Sequence, residues 1–189
     1  VSAANKTYDS TTAATLTGTA TVAAIGGDVV AVSGIGATGS FADKNAGANK
    51  AVTVAGYALM GADAGNYNII QPTGLAATIN KATLAVGGVN AVDKTYDTTT
   101  VATLAGTASV AALGSDTVSV IGAGIASFAN KNAGANKAVA VTGYSLTGSD
   151  AGNYTLIQPT GLSATISKAT LNVTGISASD KVYDSTTAA

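Results

Sequence analysis

Apolar and polar side chains alternate along most of the chain with a period of two residues. Leu75, Ala77 and Ile79 share one face in this pattern. The same alternation recurs at Val52/Val54, Tyr67/Ile69, Leu84/Val86, Val118/Val120 and Leu162/Ala164/Ile166. A two-residue period places one side of a β-strand in the core and the other in water. Because Thr and Val are also abundant, the pattern predicts many short, half-buried strands.

Turn-forming residues separate these predicted strands. They occur at residues 26–28, 45–47, 61–66 and 114–116, where Gly, Asn and Asp predominate. Short alternating segments between such turns predict an all-β, mostly antiparallel fold, with small β-sandwich or β-grasp-like modules. Only the Ala-rich residues 19–25 and 107–113 have any helical tendency. Both are too short and too rich in Thr and Val to form more than about two helical turns.

The sequence repeats itself, and the repeats set the domain organisation. The run Lys-Thr-Tyr-Asp at residues 6–9 returns at 94–97 and, with one change, at 181–184; residues 41–50, 63–67 and 71–75 return at 128–137, 150–154 and 158–162. The chain therefore contains two copies of one module and the start of a third. We predict module boundaries at 1–81 (lacking its opening strand), 82–168 and 169–189 (incomplete). The almost linker-free boundaries predict a semi-rigid rod.

Composition excludes several classes of function. The chain has no His, Cys or Trp, and its charge comes from 9 Lys and 10 Asp, for a net charge of −1. Such a chain lacks the basic surface that binds nucleic acid or an anionic membrane. No segment approaches the roughly 20 apolar residues that span a bilayer, so we expect no membrane insertion. The predominance of Ala and Val predicts a core of small side chains. Because the last copy of the repeat is incomplete, we expect the sequence to be a window of a longer chain.

The ordered motifs resemble a known family. They are Lys-x-Tyr-Asp-[Ser/Thr]-Thr-Thr, then Gly-x-Asp before a Val-rich strand, Phe-Ala-[Asp/Asn]-Lys-Asn-Ala-Gly, Asp-Ala-Gly-Asn-Tyr and Gln-Pro-Thr-Gly-Leu. Together they resemble the YDG repeat, which is related to the MBG-type repeats of large bacterial surface proteins, including filamentous-haemagglutinin-like adhesins. The resemblance implies an extracellular, tandemly repeated β-domain in a stalk or fibre, without catalytic residues. The Gly that gives the family its name is Ser10, Thr98 and Ser185 here, which argues against a positive φ at this position.

Catalysis has little support in the residues. Without His or Cys, neither a Ser-His-Asp triad nor a Cys-His pair can form. A zinc site would depend on Asp alone, against the preference of zinc for His and Cys. The segment Asp97-Thr98-Thr99 lacks the Asp-Thr/Ser-Gly turn of aspartic proteases, and nothing marks a Ser-Lys pair. We therefore expect no enzymatic activity and no bound cofactor.

Binding has more candidates. The Tyr-Asp pairs at residues 8–9, 96–97 and 183–184 suit either a buried Tyr beside an Asp-capped turn or a corner that binds sugar or calcium. Calcium also suits the Asp and Asn of three loops, at Asp43/Asn45, Asp63/Asn66 and Asp150/Asn153. No segment has the acidic spacing of a known calcium loop, so we expect these residues to form turns.

Two further candidates are a ligand platform and a crosslink. Tyr57 and Tyr144 could stack against a sugar, and Asp63 and Asp150 are further possible ligand contacts. Tyr67 and Tyr154, which lie near these two tyrosines in sequence, are in phase with apolar neighbours. We therefore predict that Tyr67 and Tyr154 are core residues. An amide crosslink between Lys and Asn is the second candidate. Its ingredients are Lys6, Lys44, Lys50 and Lys81 with Asn45, Asn49 and Asn66; solvated Lys at sheet edges is the alternative.

The sequence thus favours a structural function. We expect a stalk or fibre repeat of a secreted bacterial surface adhesin, acting as a semi-rigid spacer in cell adhesion or biofilm, with neighbouring repeats, like fibres or polysaccharide as partners. A carbohydrate-binding module is the first alternative. A self-assembling extracellular filament, in which residues 169–189 pair with a neighbouring module, is the second.

Overall fold

A computed structural model of the chain describes residues 1–187, and strands form nearly all of its regular structure. Residues 188 and 189, the end of the predicted third module, lie outside the described residues. The strands of the first copy are β1 Ser2–Ala3, β2 Lys6–Thr7, β3 Ala13–Ala14, β4 Leu16–Thr17, β5 Ala31–Ser33, β6 Thr38–Phe41, β7 Gly47–Ala55, β8 Ala58–Met60 and β9 Leu75–Asn80. Those that follow are β10 Ala82–Ala85, β11 Gly87–Val92, β12 Lys94–Thr95, β13 Val101–Ser109, β14 Ser119–Ile121, β15 Ile125–Phe128, β16 Gly134–Thr142, β17 Ser145–Thr147, β18 Tyr154–Ile157 and β19 Ser163–Ser167. Short 3-10 turns occupy Ala64–Asn66 and Ala151–Asn153.

Most strand pairs are antiparallel. The main sheet of the first copy has the order β2-β9-β7-β6-β3, and that of the second has the order β11-β13-β15-β16-β19-β12. Smaller ladders join β1 to β4, β5 to β8, β14 to β17 and β10 to β18. Only β2–β9, β12–β19 and β10–β18 are parallel among the described pairs. The predicted all-β, mostly antiparallel fold is confirmed, and neither residues 19–25 nor residues 107–113 form a helix.

The two copies repeat each other in register. Phe41 pairs with Val52 in the first copy, as Phe128 pairs with Val139 in the second. Each copy also has a bulge at the start of its long strand, where Asn49 and Asn136 share a φ of 49°. Asn is one of the few residues besides Gly that tolerate this left-handed backbone, which explains its presence at the bulge.

The core is built around a few large side chains rather than small ones alone. Ile79 and Ile166 are each 1% exposed, and Phe41 and Phe128 are nearly as buried. Val and Ala fill most of the remaining core positions, so the prediction of a small-residue core is only partly right. The first core cluster also takes in residues from beyond position 81: Ala82, Leu84 and Tyr154.

Two segments in which apolar residues alternate do not form strands. Residues 67–70 of the first copy have no strand partner, although their counterparts in the second copy form β18. Residues 169–173 also form no strand, although their counterpart Ala82–Ala85 is β10. The reason is the same in both cases, because β10 and β18 pair with each other and neither unpaired segment has such a partner within residues 1–187. Burial follows this pairing: Leu84 is 5% exposed, whereas its counterpart Leu171 is 94% exposed.

The backbone expectation at the Gly position of the family motif is wrong. Ser10, Thr98 and Ser185 have φ of 64°, 69° and 61°. They therefore keep the left-handed conformation that Gly would adopt at lower cost. The following Thr helps to fix this turn, because Asp97 Oδ1 accepts hydrogen bonds from both the backbone N–H and the hydroxyl of Thr99, each 2.9 Å long.

No helix within residues 1–187 is long and apolar enough to cross a membrane.

Candidate functional site

The most elaborate polar cluster joins the first copy to the second, and we refer to it as the junction. Its members are Tyr8, Lys44, Asn45 and Ala46 from the first copy and Asp116, Asp150, Asn153 and Tyr154 from the second. Only Lys81 lies between β9 and β10, which leaves almost no length for a flexible linker.

Asp116 is the centre of the junction. It ends a tight turn in which its backbone N–H donates to the Leu113 carbonyl at 3.1 Å. One carboxylate oxygen, Oδ2, accepts the hydroxyl protons of Tyr8 and Tyr154, each at 2.6 Å. The other, Oδ1, forms an ion pair with the Lys44 ammonium. The Asp116 side chain is 0% exposed, so three donors compensate the cost of burying this charge.

The environment shifts the pKa of each group in this network. Burial acts to raise the pKa of Asp116, but hydrogen bonds from Lys44, Tyr154 and Tyr8 outweigh it and hold that pKa below its usual value. Burial and the hydrogen bond to Asp116 raise the pKa of Tyr154 to about 12. The hydrogen bond to Asp116 is also the main cause of the raised pKa of Lys44. At neutral pH Asp116 is therefore a carboxylate and Lys44 an ammonium, while Tyr8 and Tyr154 are neutral phenols.

Lys44 adds two further contacts to the junction. Its ammonium lies 3.2 Å from Asp150 Oδ1 and 5.9 Å from the centre of the Tyr8 ring. The Lys44 side chain is 33% exposed, so water screens part of these interactions. The ammonium nevertheless connects the first copy to two separate loops of the second.

Asn153 provides a second polar link. It is 5% exposed, and its Oδ1 accepts a hydrogen bond from the Ala46 backbone N–H at 2.9 Å. Its Nδ2 donates to Asn45 Oδ1 at 3.2 Å. A buried amide whose donor and acceptor are both used fixes the relative placement of the two loops.

Apolar contacts surround the polar network. The rings of Tyr8 and Tyr154 meet edge to face, with centroids 5.3 Å apart and planes inclined at 78°. Leu84 and Ala82 pack in the same core cluster. Because β10 pairs with β18 while its side chains complete the core of the first copy, the two copies share part of one hydrophobic core.

The Lys-x-Tyr-Asp motif forms a turn that its own Lys closes. Lys6 Nζ donates to Asp9 Oδ1 at 2.7 Å, to the Thr11 carbonyl at 2.9 Å and to the Ala13 carbonyl at 2.9 Å. Lys94 makes the equivalent contacts in the second copy. The ammonium thus lies among oxygens that could otherwise bind a cation. Tyr8 is buried, and its hydroxyl bonds to a carboxylate of the next copy rather than to the backbone.

The residues predicted to contact a ligand are not brought together. Tyr57 is half-buried, and a Cβ on Gly34 would lie 3.2 Å from its ring. Tyr144 is packed similarly against Gly124. Asp63 accepts the Val29 backbone N–H at the other end of the β5–β8 ladder.

Asp150 belongs to the junction. Its Oδ2 accepts the Thr117 backbone N–H at 3.0 Å, and its Oδ1 faces Lys44. Ligand binding by Tyr57, Tyr144, Asp63 and Asp150 stays a prediction.

Protein donors already use several of the oxygens that were candidates for calcium binding. Asp43 pairs with Lys50, and Asn153 Oδ1 binds Ala46. Residues 1–187 contain no group of three or more acidic side chains placed to hold a metal ion. For the candidate Lys–Asn crosslink, the raised pKa of Lys44 is unfavourable, because a protonated amine has no lone pair with which to attack an amide.

The sequence did not reveal the role of Asp116. The residues Gly114-Ser115-Asp116 predicted a turn, and they form one. The tyrosines that donate to the Asp116 carboxylate, however, lie 38 and 108 residues away in sequence. One feature of the sequence could have indicated this role. Gly and Asp recur at the same spacing in the two copies, at residues 26–28 and 114–116, whereas the residue between them changes from Gly27 to Ser115.

Comparison with known families agrees with the repeats. The YDG domain family matches residues 1–74 and again residues 80–161, which together make up most of the chain. No curated protein and no solved structure matches the chain. With its repeated motifs and these two matches, the chain belongs to the YDG domain family.

Proposed function

We propose that the chain is a structural stalk or fibre repeat of a secreted bacterial surface adhesin and acts as a semi-rigid spacer in cell adhesion or biofilm. In this proposal the chain is extracellular, is not an enzyme, and has neighbouring repeats as its principal partners. Each module contributes length, and the junction limits bending between modules.

The observation that carries the proposal is the junction around Asp116. Bending at this point would separate the carboxylate from Tyr8 and Lys44 and would expose Leu84, which is 5% exposed. Leaving a buried charge without its partners is costly, so the ion pair and hydrogen bonds resist bending more than apolar contact alone would. The single residue between β9 and β10 limits bending in the same way.

Distances between spin labels on the two copies test this proposal. The chain has no Cys, so Thr53→Cys and Ala140→Cys introduce unique labelling sites on exposed positions of β7 and β16. We expect one narrow distance distribution. Adding Asp116→Ala should broaden it, whereas Asp28→Ala, at the equivalent position outside the junction, should not. A broad distribution in the otherwise unchanged protein would contradict a semi-rigid spacer.

Carbohydrate binding is the alternative function that the aromatic residues suggested. Tyr57 and Tyr144 are half-buried against Gly34 and Gly124, which reduces the open ring face that a sugar could cover. A glycan and exopolysaccharide panel, measured with and without calcium, separates the two functions. Saturable binding that is lost on Tyr57→Ala or Tyr144→Ala would favour the carbohydrate-binding module.

A further inference from the structure

In each copy, an early strand lies beside the last strand of the main sheet and runs in the same direction. In the second copy these strands are β12 and β19, with Lys94 opposite Ile166. In the first copy they are β2 and β9, with Lys6 opposite Ile79. Among the described strand pairs only one other, β10–β18, is parallel. Parallel pairing is therefore concentrated where the chain passes into and out of a copy.

The direction of these strands decides how each copy responds to tension. Tension along the chain acts on the start of the early strand and on the end of the last strand. In a parallel pair these two points lie at opposite ends of the ladder, so the strands are pulled in opposite directions along their length. All hydrogen bonds of the ladder then carry the load together. In an antiparallel pair the same two points lie at one end, and the bonds would break one after another.

We propose that each copy is a mechanical clamp that bears tension along the chain. The second copy carries the load through the β12–β19 ladder, and the first copy carries it through the β2–β9 ladder. This function goes beyond that of a spacer, because a spacer sets a distance whether or not it carries a load.

Two further hydrogen bonds lengthen the β12–β19 ladder. Before the ladder, Asp93 Oδ1 accepts the Thr165 backbone N–H at 2.6 Å. After it, the Tyr96 backbone N–H donates to the Ser167 carbonyl at 2.8 Å. The first copy has the equivalent bond on each side of its own ladder. Residues 93–96 are therefore all held to β19, although β12 itself is only two residues long.

The centre of the β12–β19 ladder is anchored and dry. Ile166 lies between two strands, opposite Lys94 of β12 on one side and opposite Gly134 of the long strand β16 on the other. It is 1% exposed, as is its counterpart Ile79. Because water has little access to this position, it cannot readily replace the hydrogen bonds of the ladder as they are stretched.

The Lys94 side chain ties β12 to the sheet on its other side. Its ammonium donates to the Thr99 carbonyl at 3.0 Å and to the Val101 carbonyl, at the start of β13, at 2.8 Å. The side chain is 17% exposed, and the ammonium lies 5.7 Å from the centre of the Phe128 ring. For β12 to slide past β19, both the backbone ladder and these side-chain bonds have to break.

Single-molecule force spectroscopy on the intact chain tests the clamp by changing only the direction of the load. The chain has no Cys, so two introduced Cys residues define the points of attachment. Val92→Cys with Lys168→Cys pulls β12 and β19 in opposite directions along the ladder. Val92→Cys with Thr160→Cys pulls the starts of the same two strands apart. All three positions are exposed.

The unfolding force is the readout. At equal loading rate, we expect a higher force for the pair that loads the ladder along its length. Both pairs should show a length gain of about 25 nm, since an unfolded residue spans about 3.5 Å, and this gain verifies that the second copy was folded. Because forced unfolding is governed by the unfolding barrier of one and the same fold, only the direction of the load differs between the pairs. Equal forces, or a lower force along the ladder, would overturn the clamp.

A substitution at Lys94 tests the side-chain tie. We expect Lys94→Met to lower the unfolding force along the ladder and to have a smaller effect when the starts of the strands are pulled apart. Lys131→Met is the matched control, because it removes the same charge from an exposed position of the same copy. It should leave both forces unchanged. An equal loss of force in the two directions would show general destabilisation and would overturn the role of Lys94 in the clamp.

The clamp and the spacer fail in different experiments. An unfolding force that does not depend on direction, together with a narrow spin-label distance, would reject the clamp and leave the spacer. A broad spin-label distance would reject the semi-rigid spacer, whatever force each copy withstands.

Discussion

Substitution of Asp116 by Ala should destabilise the protein more than the same substitution at Asp28. Both residues accept a hydroxyl proton from a Tyr of their own copy, Tyr154 and Tyr67 respectively. Only Asp116 also holds residues of the other copy. Comparison of the two variants therefore cancels the shared hydrogen bond and isolates the contacts across the junction.

The magnitude follows from those contacts. Tyr8 is 2% exposed, and loss of its bond to a carboxylate should cost about 1.5–3 kcal/mol. The ion pair with Lys44, whose side chain is 33% exposed, contributes about 0–1 kcal/mol after allowance for solvent screening. We therefore expect Asp116→Ala to lower the free energy of junction opening by about 1.5–4 kcal/mol more than Asp28→Ala does.

Native-state hydrogen exchange measures this difference locally. The Ala46 backbone N–H donates to Asn153 across the junction, so it exchanges when the junction opens. Its protection should fall roughly 10- to 1,000-fold in Asp116→Ala relative to Asp28→Ala, because every 1.4 kcal/mol is a factor of about ten. The measurement does not require two-state unfolding of the two copies.

A double-mutant cycle assigns the effect to Tyr8. Tyr8→Phe removes only the hydroxyl, and Tyr8→Phe combined with Asp116→Ala should show a coupling of about 1–3 kcal/mol. Tyr96→Phe is the matched control, since the Tyr96 hydroxyl has no hydrogen-bond partner in the described chain. If Asp116→Ala and Asp28→Ala changed the Ala46 protection equally, the argument for the junction would be refuted.

Three further predictions concern the turns and the pH dependence. Thr98→Gly should raise the free energy of unfolding by about 1 kcal/mol in chemical denaturation, because a β-branched residue there has φ of 69°; no gain would show that this backbone is unstrained. Tyr154, whose pKa is raised to about 12, contributes stability that is complete below the unfolded-state pKa of about 10 and is lost as the pH rises through about 12. Thermal melts between these pH values should show a decline that is smaller in Tyr154→Phe. The pKa of Asp97 is lowered to about 2 by the Lys94 ammonium and by the N–H and hydroxyl of Thr99. Lys94→Met should therefore raise the pKa of Asp97 in an NMR titration. An unchanged pKa would contradict the turn that Lys94 closes.

The sequence predicted the fold class because alternation is a local property. Leu75, Ala77 and Ile79 lie on one strand, and their period of two requires no knowledge of partners. The same logic failed at residues 67–70, which alternate like Tyr154–Ile157 yet form no strand. Apolar alternation makes a segment able to pair, but a strand forms only where another edge supplies hydrogen bonds.

The junction could not be predicted for a related reason. Tyr154 was expected in the core, and it is 4% exposed, but nothing in its neighbourhood indicates a carboxylate on another loop. Asp116 and Tyr8 are separated by 108 residues, and the turn that carries Asp116 has the composition of an ordinary surface turn. Asp116 was therefore expected only to form a turn, since charged residues lie at the surface in most proteins.

Side chains from the second sequence repeat complete the core of the first. Ala82 and Leu84 belong to the second repeat by sequence and hydrogen-bond to its β18, yet their side chains complete the core of the first. A module whose core is rich in Ala and Val gains little stability from burial of its own side chains. Residues shared across each boundary therefore contribute a larger share of the stability. Stability in such an array approximates a sum over modules and nearest-neighbour interfaces. In the function that we propose, each added module would supply one more core and one more junction, and each junction would limit bending at its own boundary.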